Sequence, residues 1–277
     1  MVERAMKPLE VDVLGIGVLG PGLAGWAQTR AVLRGDAAWA QAATVIPPPQ
    51  RLPATERRRA GTIIKVSIVA ADEALAMSGC AAAQVATVFS ASEGDGRNCH
   101  EICEALASSD RLISPTRFTN SVHNAPAGYW HIATHGMAAS TSLCAYDASF
   151  AMGLLEAALQ AQPHGAAPVM LVVADAPYPE PLHATRPLPD AMAIAMVLAP
   201  AGTARSQARL GIQTRSTQAG ERTRASTPEL DALSRALPVA RGLLLLEAIA
   251  RGADASCIVE SFDDLALHID VRFEASR

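Results

Sequence analysis

The chain has 277 residues, 50% of them apolar and 18% charged, so it can bury one large core or two fused smaller ones. A net charge of -4 provides no electrostatic footprint for nucleic acid, and the arginines occur in local runs rather than a stripe. No run approaches the ~18 uninterrupted apolar residues of a membrane span, and the opening "MVERAMKPLE" lacks the apolar centre of a signal peptide, so a cytoplasmic protein is expected.

Aromatic residues make up only 4% of the chain, and the apolar content is carried by Ala, Val, Leu and Ile, which suits helices packed closely on sheets: an α/β protein. The five cysteines are an odd number scattered along the chain, so they read as free thiols, each a possible nucleophile, ligand or core residue.

"VDVLGIGV" reads as a buried strand entering a glycine-rich turn, followed by a helical pattern in "LAGWAQTRAVLRG" that stops at Gly35. After the proline cluster "VIPPPQRLP", the stretch "ERRRAGTIIKVSIVAADEALAMSG" keeps helical spacing and predicts one long, mostly buried helix. A strand in "AAQVATVFSASEGDG" and an amphipathic helix in "NCHEICEALASSD" continue the alternation. "TSLCAY" predicts a strand and "AMGLLEAALQA" the helix after it, then "APVMLVVADAP" a strand covered on both faces, with "AMAIAMVLAP" as its neighbour.

Residues 206–228 are rich in Arg, Thr, Ser, Gln and Gly and predict an exposed connection. The helix "ARGLLLLEAIARG" and the strand-like "ASCIVES" and "LALHIDVRF" close the chain. This organisation suggests two halves, 1–165 and 166–277.

Four motifs invite chemistry. Gly15, Gly17 and Gly20 form a GxGxxG after a strand, the setting of a dinucleotide fingerprint and hence of an oxidoreductase. Pro21 removes one of the amides that would cradle a pyrophosphate, so a tight structural turn is the simpler reading. Cys99, His100, Glu101 and Cys103 place two thiols one helical turn apart, but no second ligand pair at zinc-like spacing accompanies them. Arg57, Arg58 and Arg59 could receive an acidic partner such as a carrier protein, or form a solvated run. Cys144 precedes a helix N-terminus, where a thiolate nucleophile gains from the helix dipole. His123, His131 and His135 share one segment, while His164, His183 and His268 sit in no assignable motif.

Taken together, "VDVLGIGVLGPG", the helix with "RRR", "VFSASEGDG" and above all "ISPTRFTNSVHNAPAGYWHIATHGMAASTSLCAYDASF" resemble the N-terminal half of a β-ketoacyl synthase over roughly residues 11–200. Ile113, Ser114, Pro115, Asn124, Ala127, Gly128, Ser140, Ser142 and Leu143 fall into the family pattern without a gap. The resemblance implies a thiolase-like fold of alternating helical and sheet layers with a shortened C-terminal half. In that register Asp147 holds the nucleophile position and Cys144 falls three residues early, within the strand. A carboxylate would give only a labile anhydride, so Asp147 reads as an N-cap of the following helix. Neither "HGTGT" nor "GH" occurs between Pro200 and Ala250, where the family keeps two catalytic histidines.

These departures make the chain similar to the chain length factors of aryl polyene and other type II polyketide systems, which pair with an active ketosynthase. The resemblance then implies no catalysis by this chain, no cofactor and no metal, with a ketosynthase subunit and an acyl carrier protein as partners. It places Ser140, Thr141, Ser142 and Leu143 at a two-fold strand pairing. It also puts Asn120, His123, Asn124, Pro126, Tyr129, Trp130 and Phe150 at the interface or the partner's acyl tunnel, with Tyr129 and Trp130 either supplying bulk there or packing in this chain's core. The alternative is a working condensing enzyme with Cys144 as nucleophile.

Overall fold

The computed structural model describes residues 7–162, 167–217, 221–262 and 264–273. Strand β1 (Leu9–Gly20) runs through the middle of a nine-stranded sheet formed with β2 (Leu23–Ala24), β3 (Ala86–Ala91), β4 (Ser140–Cys144), β5 (Val169–Asp175), β6 (Met192–Pro200), β7 (Ala208–Ser216), β8 (Ala255–Phe262) and β9 (Leu265–Arg272). Between them come α1 (Trp26–Arg34), α2 (Ala54–Arg59), α3 (Thr62–Ser78), α4 (Gly96–Ala107), α5 (Pro115–Thr119), α6 (Ala125–Thr134), α7 (Ser149–Gln160), α8 (Leu182–Thr185), α9 (Pro228–Ala236) and α10 (Gly242–Arg251). Among the described residues, no helix is long and apolar enough to cross a membrane.

The strand order is β4-β3-β5-β6-β1-β7-β9-β8, with β2 paired to β1, so β4 and β8 are the sheet's edges. Strand β3 pairs in parallel with both β4 and β5, and the remaining pairings are antiparallel. Segments on either side of residue 165 thus share one sheet, since β5 and β6 sit between β3 and β1. The boundary itself, and His164 with it, lies outside the described residues.

Period-2 alternation sorts the central strands into two cores. On one face Leu171 and Val173 of β5 and Ile194, Met196 and Leu198 of β6 pack with the α7 and α10 side chains Leu154 and Leu245. The opposite face carries Ala193, Ala195 and Ala199 and receives α3. That face is paved with small residues because the helix lies very close: a Cβ on Gly15 would come within 2.0 Å of the Ala74 carbonyl oxygen, and one on Gly17 within 2.0 Å of the Ala70 carbonyl oxygen. Ile63, Ile64, Val66 and Ile68 of α3 are 2% exposed or less, each such aliphatic contributing about 2 kcal/mol by burial.

Two sequence expectations change here. The long helix is broken between α2 and α3, because Asn120 Nδ2 captures the Arg59 carbonyl at 2.9 Å and Ala60 turns extended. Nor are residues 206–228 a plain exposed connection: β7 fills 208–216, inserted between β1 and β9. Its short alternation, Ala208, Leu210 and Ile212 inward against Arg209, Gly211 and Gln213, is a strand pattern masked by polar neighbours. The following stretch is tied to α9, with Arg222 clamped on Asp231 at 2.8 Å through two nitrogens.

Candidate functional site

Strand β4 ends at Cys144 and the chain reaches α7 through a 3-10 turn, Tyr146–Ala148. Tyr146 has φ of 51°, a left-handed conformation that costs a non-glycine residue energy and is retained only where its surroundings enforce it. A strand, a strained turn and a helix make an elbow that projects its side chains, the device α/β enzymes use for a nucleophile. Ser149 locks the elbow: its hydroxyl has the carbonyls of Tyr146 and Ala91 within reach at 2.7 and 2.8 Å, donating its one proton to either, and accepts from the Ala145 amide at 3.2 Å.

The elbow presents Asp147, and two arginines hold it. Arg186 Nη2 donates to one carboxylate oxygen at 2.8 Å and Arg241 Nη2 to the other at 3.4 Å. With both oxygens so engaged, Asp147 makes no cap on α7, contrary to the sequence reading. The Arg186 guanidinium also stacks on the Tyr146 ring at 3.6 Å, and Glu93 lies 3.6 Å from its Nε. Burial works against the Arg186 charge, but the Asp147 carboxylate outweighs it and lifts the pKa above the ordinary value.

Beneath the elbow, buried Asp175 at the end of β5 accepts from the Ser92 and Val239 amides, each at 2.9 Å, and so pins the loop after β3 to the segment entering α10. Burial raises its pKa, opposed by Ser92, Val239 and Arg186. Tyr178, beside Ser92, is pushed up to about 12 mainly by burial.

Cys144 is exposed, and its thiol pKa is raised by partial desolvation and then by the Asp175 and Glu93 carboxylates. That environment is the reverse of one that makes a thiolate. Among the described residues no imidazole bonds to it, and His123 meets the Ser142 carbonyl of β4 through Nε2 at 3.4 Å.

The residues expected at an interface separate into two groups. Ser140, Thr141, Ser142 and Leu143 form the outer edge of the sheet, and His123, Asn124 and half-buried Pro126 precede or open α6, with His123, Pro126 and Leu143 lining one small cleft. The Thr87 amide bonds to the Ala139 carbonyl, and the parallel register turns the main-chain groups of Ser140 and Ser142 away from β3, where the Ser142 carbonyl meets His123.

Tyr129, Trp130, Phe150 and Asn120 instead face this chain's own interior. Tyr129 and Trp130 pack under α3, Phe150 abuts Gly242, and Asn120 bonds to Arg59 and Tyr129. Their bulk therefore fills this chain's core and is not presented to a neighbour. Large apolar side chains exposed beside that segment include Phe118 and Val122, which sequence reasoning passed over.

Gly15 and Gly17 lie inside β1, paired to Val197 and Ala195, while Gly20 ends the strand and faces Leu23 across the tight Pro21–Gly22 turn, so the dinucleotide reading has no phosphate cradle there and the tight-turn reading holds at Gly20 but not at the two glycines before it. On α4, Glu101 is ion-paired to Arg117 and His100 lies 3.3 Å from Glu104; among the described residues no three His, Cys, Asp or Glu side chains converge as a metal ion would require. Arg57, Arg58 and Arg59 end α2, Arg57 donating to Gln50 and Arg59 to Glu56.

The family model of the β-ketoacyl synthase N-terminal domain matches residues 26–256. The chain belongs to this family. Its fold is shared by a ketosynthase (ApeO) in complex with its chain length factor (ApeC) from Xenorhabdus doucetiae, at TM-score 0.71 and 21% identity over 94% of this chain and 98% of that one. The ishigamide ketosynthase/chain length factor matches at TM-score 0.72 and 14% identity, over 96% and 99% of the two chains. A β-ketoacyl synthase from Burkholderia phymatum STM815 matches at TM-score 0.60 and 14% identity, over 89% of this chain and 71% of that one. A comparison with curated proteins finds no match. The thiolase-like α/β architecture expected from the sequence is thus the one this ketosynthase-like chain has.

Sequence reasoning missed two members of the elbow. Arg186 is 39 residues from Asp147 in a proline-broken loop. Arg241 stands where an apolar run enters a helix, and an arginine in that setting was the available hint.

Proposed function

We propose that this ketosynthase-like chain performs no condensation itself and acts as a chain length factor: it pairs with an active β-ketoacyl synthase and shapes that partner's acyl tunnel during polyene or polyketide assembly on an acyl carrier protein. The observation that carries this reading is Asp147, held between Arg186 and Arg241 at the elbow. Condensation needs a soft nucleophile that accepts an acyl group from a thioester and a base to drive decarboxylation. A doubly ion-paired carboxylate is neither, and the nearby thiol is tuned away from its reactive form.

What the chain offers a partner is backbone. The outward amides of Ser140 and Ser142 and the Ser140 carbonyl supply a ready ladder, joined by the Ser142 carbonyl once exposed His123 swings aside, and extension of the sheet across two chains would bury Thr141, Leu143 and the flanking Val122. Neighbouring structures that are ketosynthase and chain length factor complexes support the pairing. Arg57, Arg58 and Arg59, on the short exposed α2, would meet an acidic carrier.

The test is co-expression with a candidate ketosynthase, affinity capture of one chain, and intact-mass analysis after incubation with acyl-loaded carrier protein. The expected outcome is a one-to-one complex with acyl mass on the ketosynthase alone. An acyl adduct on this chain at Cys144 would replace the reading with that of a working condensing enzyme in the cytoplasm.

A further inference from the structure

A cavity of about 770 Å³ shares no lining residue with the elbow. It opens where the end of α2, the starts of α3 and α4, and α5 come together, and its volume falls within the roughly 300–1,000 Å³ of small-molecule sites. Four arginines line it, Arg58, Arg59, Arg97 and Arg117, against three carboxylates, Asp95, Glu101 and Asp190.

The carboxylates are already engaged. Asp95 caps α4 by accepting from the Asn98 amide at 3.0 Å. Glu101 is ion-paired to Arg117. Asp190 accepts from the Thr44 amide at 2.8 Å and the Ala191 amide at 2.7 Å. Arg59 reaches Glu56 in an exposed pair worth little. Arg58 and Arg97 have no hydrogen-bonded or ionic partner among the described residues, so the cavity keeps two uncommitted guanidinium groups.

The rest of the wall narrows the ligand class. Among the described residues no lining side chain is aromatic, so they give no platform on which a nucleobase would stack, whereas Thr55, Ser114 and Thr116 supply hydroxyl groups. The start of α3, which no side chain caps, borders the cavity at Gly61 and Thr62 and adds positive potential. A planar guanidinium fork matches phosphate oxygens two at a time.

We propose that this cavity binds a small organic phosphate with a polar, non-aromatic body, its phosphate clamped between Arg58 and Arg97. This site does not rest on the heterodimer reading: it shares Arg58 with the run assigned to a carrier but also needs Arg97, which is outside that run, and a ligand that is not a protein.

The test is isothermal titration calorimetry at low salt with glycerol 3-phosphate as probe and glycerol as its neutral control. The expected result is a Kd at or below ~1 mM for the phosphate and no binding of glycerol. The double variant R58A/R97A should bind at least about tenfold more weakly, because each charge-assisted contact is worth more than a neutral one. R57A should bind as the wild type does, since Arg57 donates to Gln50 and does not line the cavity. Both substituted arginines of the double variant are exposed, and its thermal melt serves as the folding control.

No heat with wild-type protein, equal affinity in the double variant, or an equal loss in R57A would each overturn the site. Carrier docking measured on the same variants separates the two readings. Docking retained while glycerol 3-phosphate fails to bind removes this proposal alone.

Discussion

The Arg186 guanidinium carbon stands 3.6 Å from the centroid of the Tyr146 ring while its Nη2 donates to Asp147 at 2.8 Å. One cation thereby fixes both the strained residue of the elbow and the carboxylate after it. Any side chain placed at 147 inherits the field of Arg186 and Arg241, which are 13% and 17% exposed at the side chain. In the variant D147C the new thiol should therefore ionise below the ordinary range near 8.5. Iodoacetamide at pH 7 should alkylate it about tenfold faster than Cys144, read by peptide mass spectrometry. Equal rates would mean that the arginines do not control the elbow.

Cys144 itself should behave in the opposite way. Desolvation, Asp175 and Glu93 all favour its neutral form, so its alkylation rate should stay low through pH 8 and climb only above the usual thiol range. A rate plateau already reached at pH 7 would contradict the assignment.

Gly17 should tolerate no side chain. Its added Cβ would meet a helix carbonyl at 2.0 Å, and neither β1 nor α3 can retreat without opening a core on each side. G17A should lose at least about 3 kcal/mol in chemical denaturation, the upper end of overpacking penalties. A change under 1 kcal/mol would show that the sheet and helix are less closely seated.

Ser142 should accept proline in the isolated chain, because its amide points away from β3. S142P should melt within a few degrees of the wild type yet fail to co-purify with a ketosynthase partner. Retained co-purification would place the contact elsewhere than this edge.

Asp231 gives the protein a defined acid sensitivity. Arg222 holds its carboxyl down to about 2 from an ordinary 3.8, so the ionised form is favoured in the folded state. The resulting stability is fully present above pH 3.8 and is lost as the pH falls towards 2. The difference in denaturation midpoint between wild type and D231N should shrink across that interval and be constant above it. A difference that persists below pH 2 would mean that the carboxylate charge is not what the pair depends on.

Much of the fold was legible because hydrophobic periodicity is a local property. The continuous apolar runs of β5 and β6 and the Gly stops of α1 and α3 announce themselves over ten residues. Long-range geometry was not legible. Gly15 and Gly17 read as a tight turn, or as a phosphate loop, until α3 is seen lying against them, and Tyr129 and Trp130 read equally as tunnel bulk or core packing until the core closes over their rings. β7 was missed because its alternation is only a few residues long within a polar stretch. Of the elbow, the sequence showed Asp147 but not the cations that hold it, since an ion pair formed across 39 or 94 residues leaves no mark on spacing.

Strand β4 leaves one border of the sheet uncovered, and an uncovered border cannot choose its company. Its polar, five-residue length limits the hazard, yet in a cell making this polypeptide in excess, the same ladder is offered to any extended segment that diffuses past. If the chain pairs as proposed, balanced synthesis of the two partners would protect solubility as well as set the amount of complex, and overproduction of this chain by itself should lower its soluble yield.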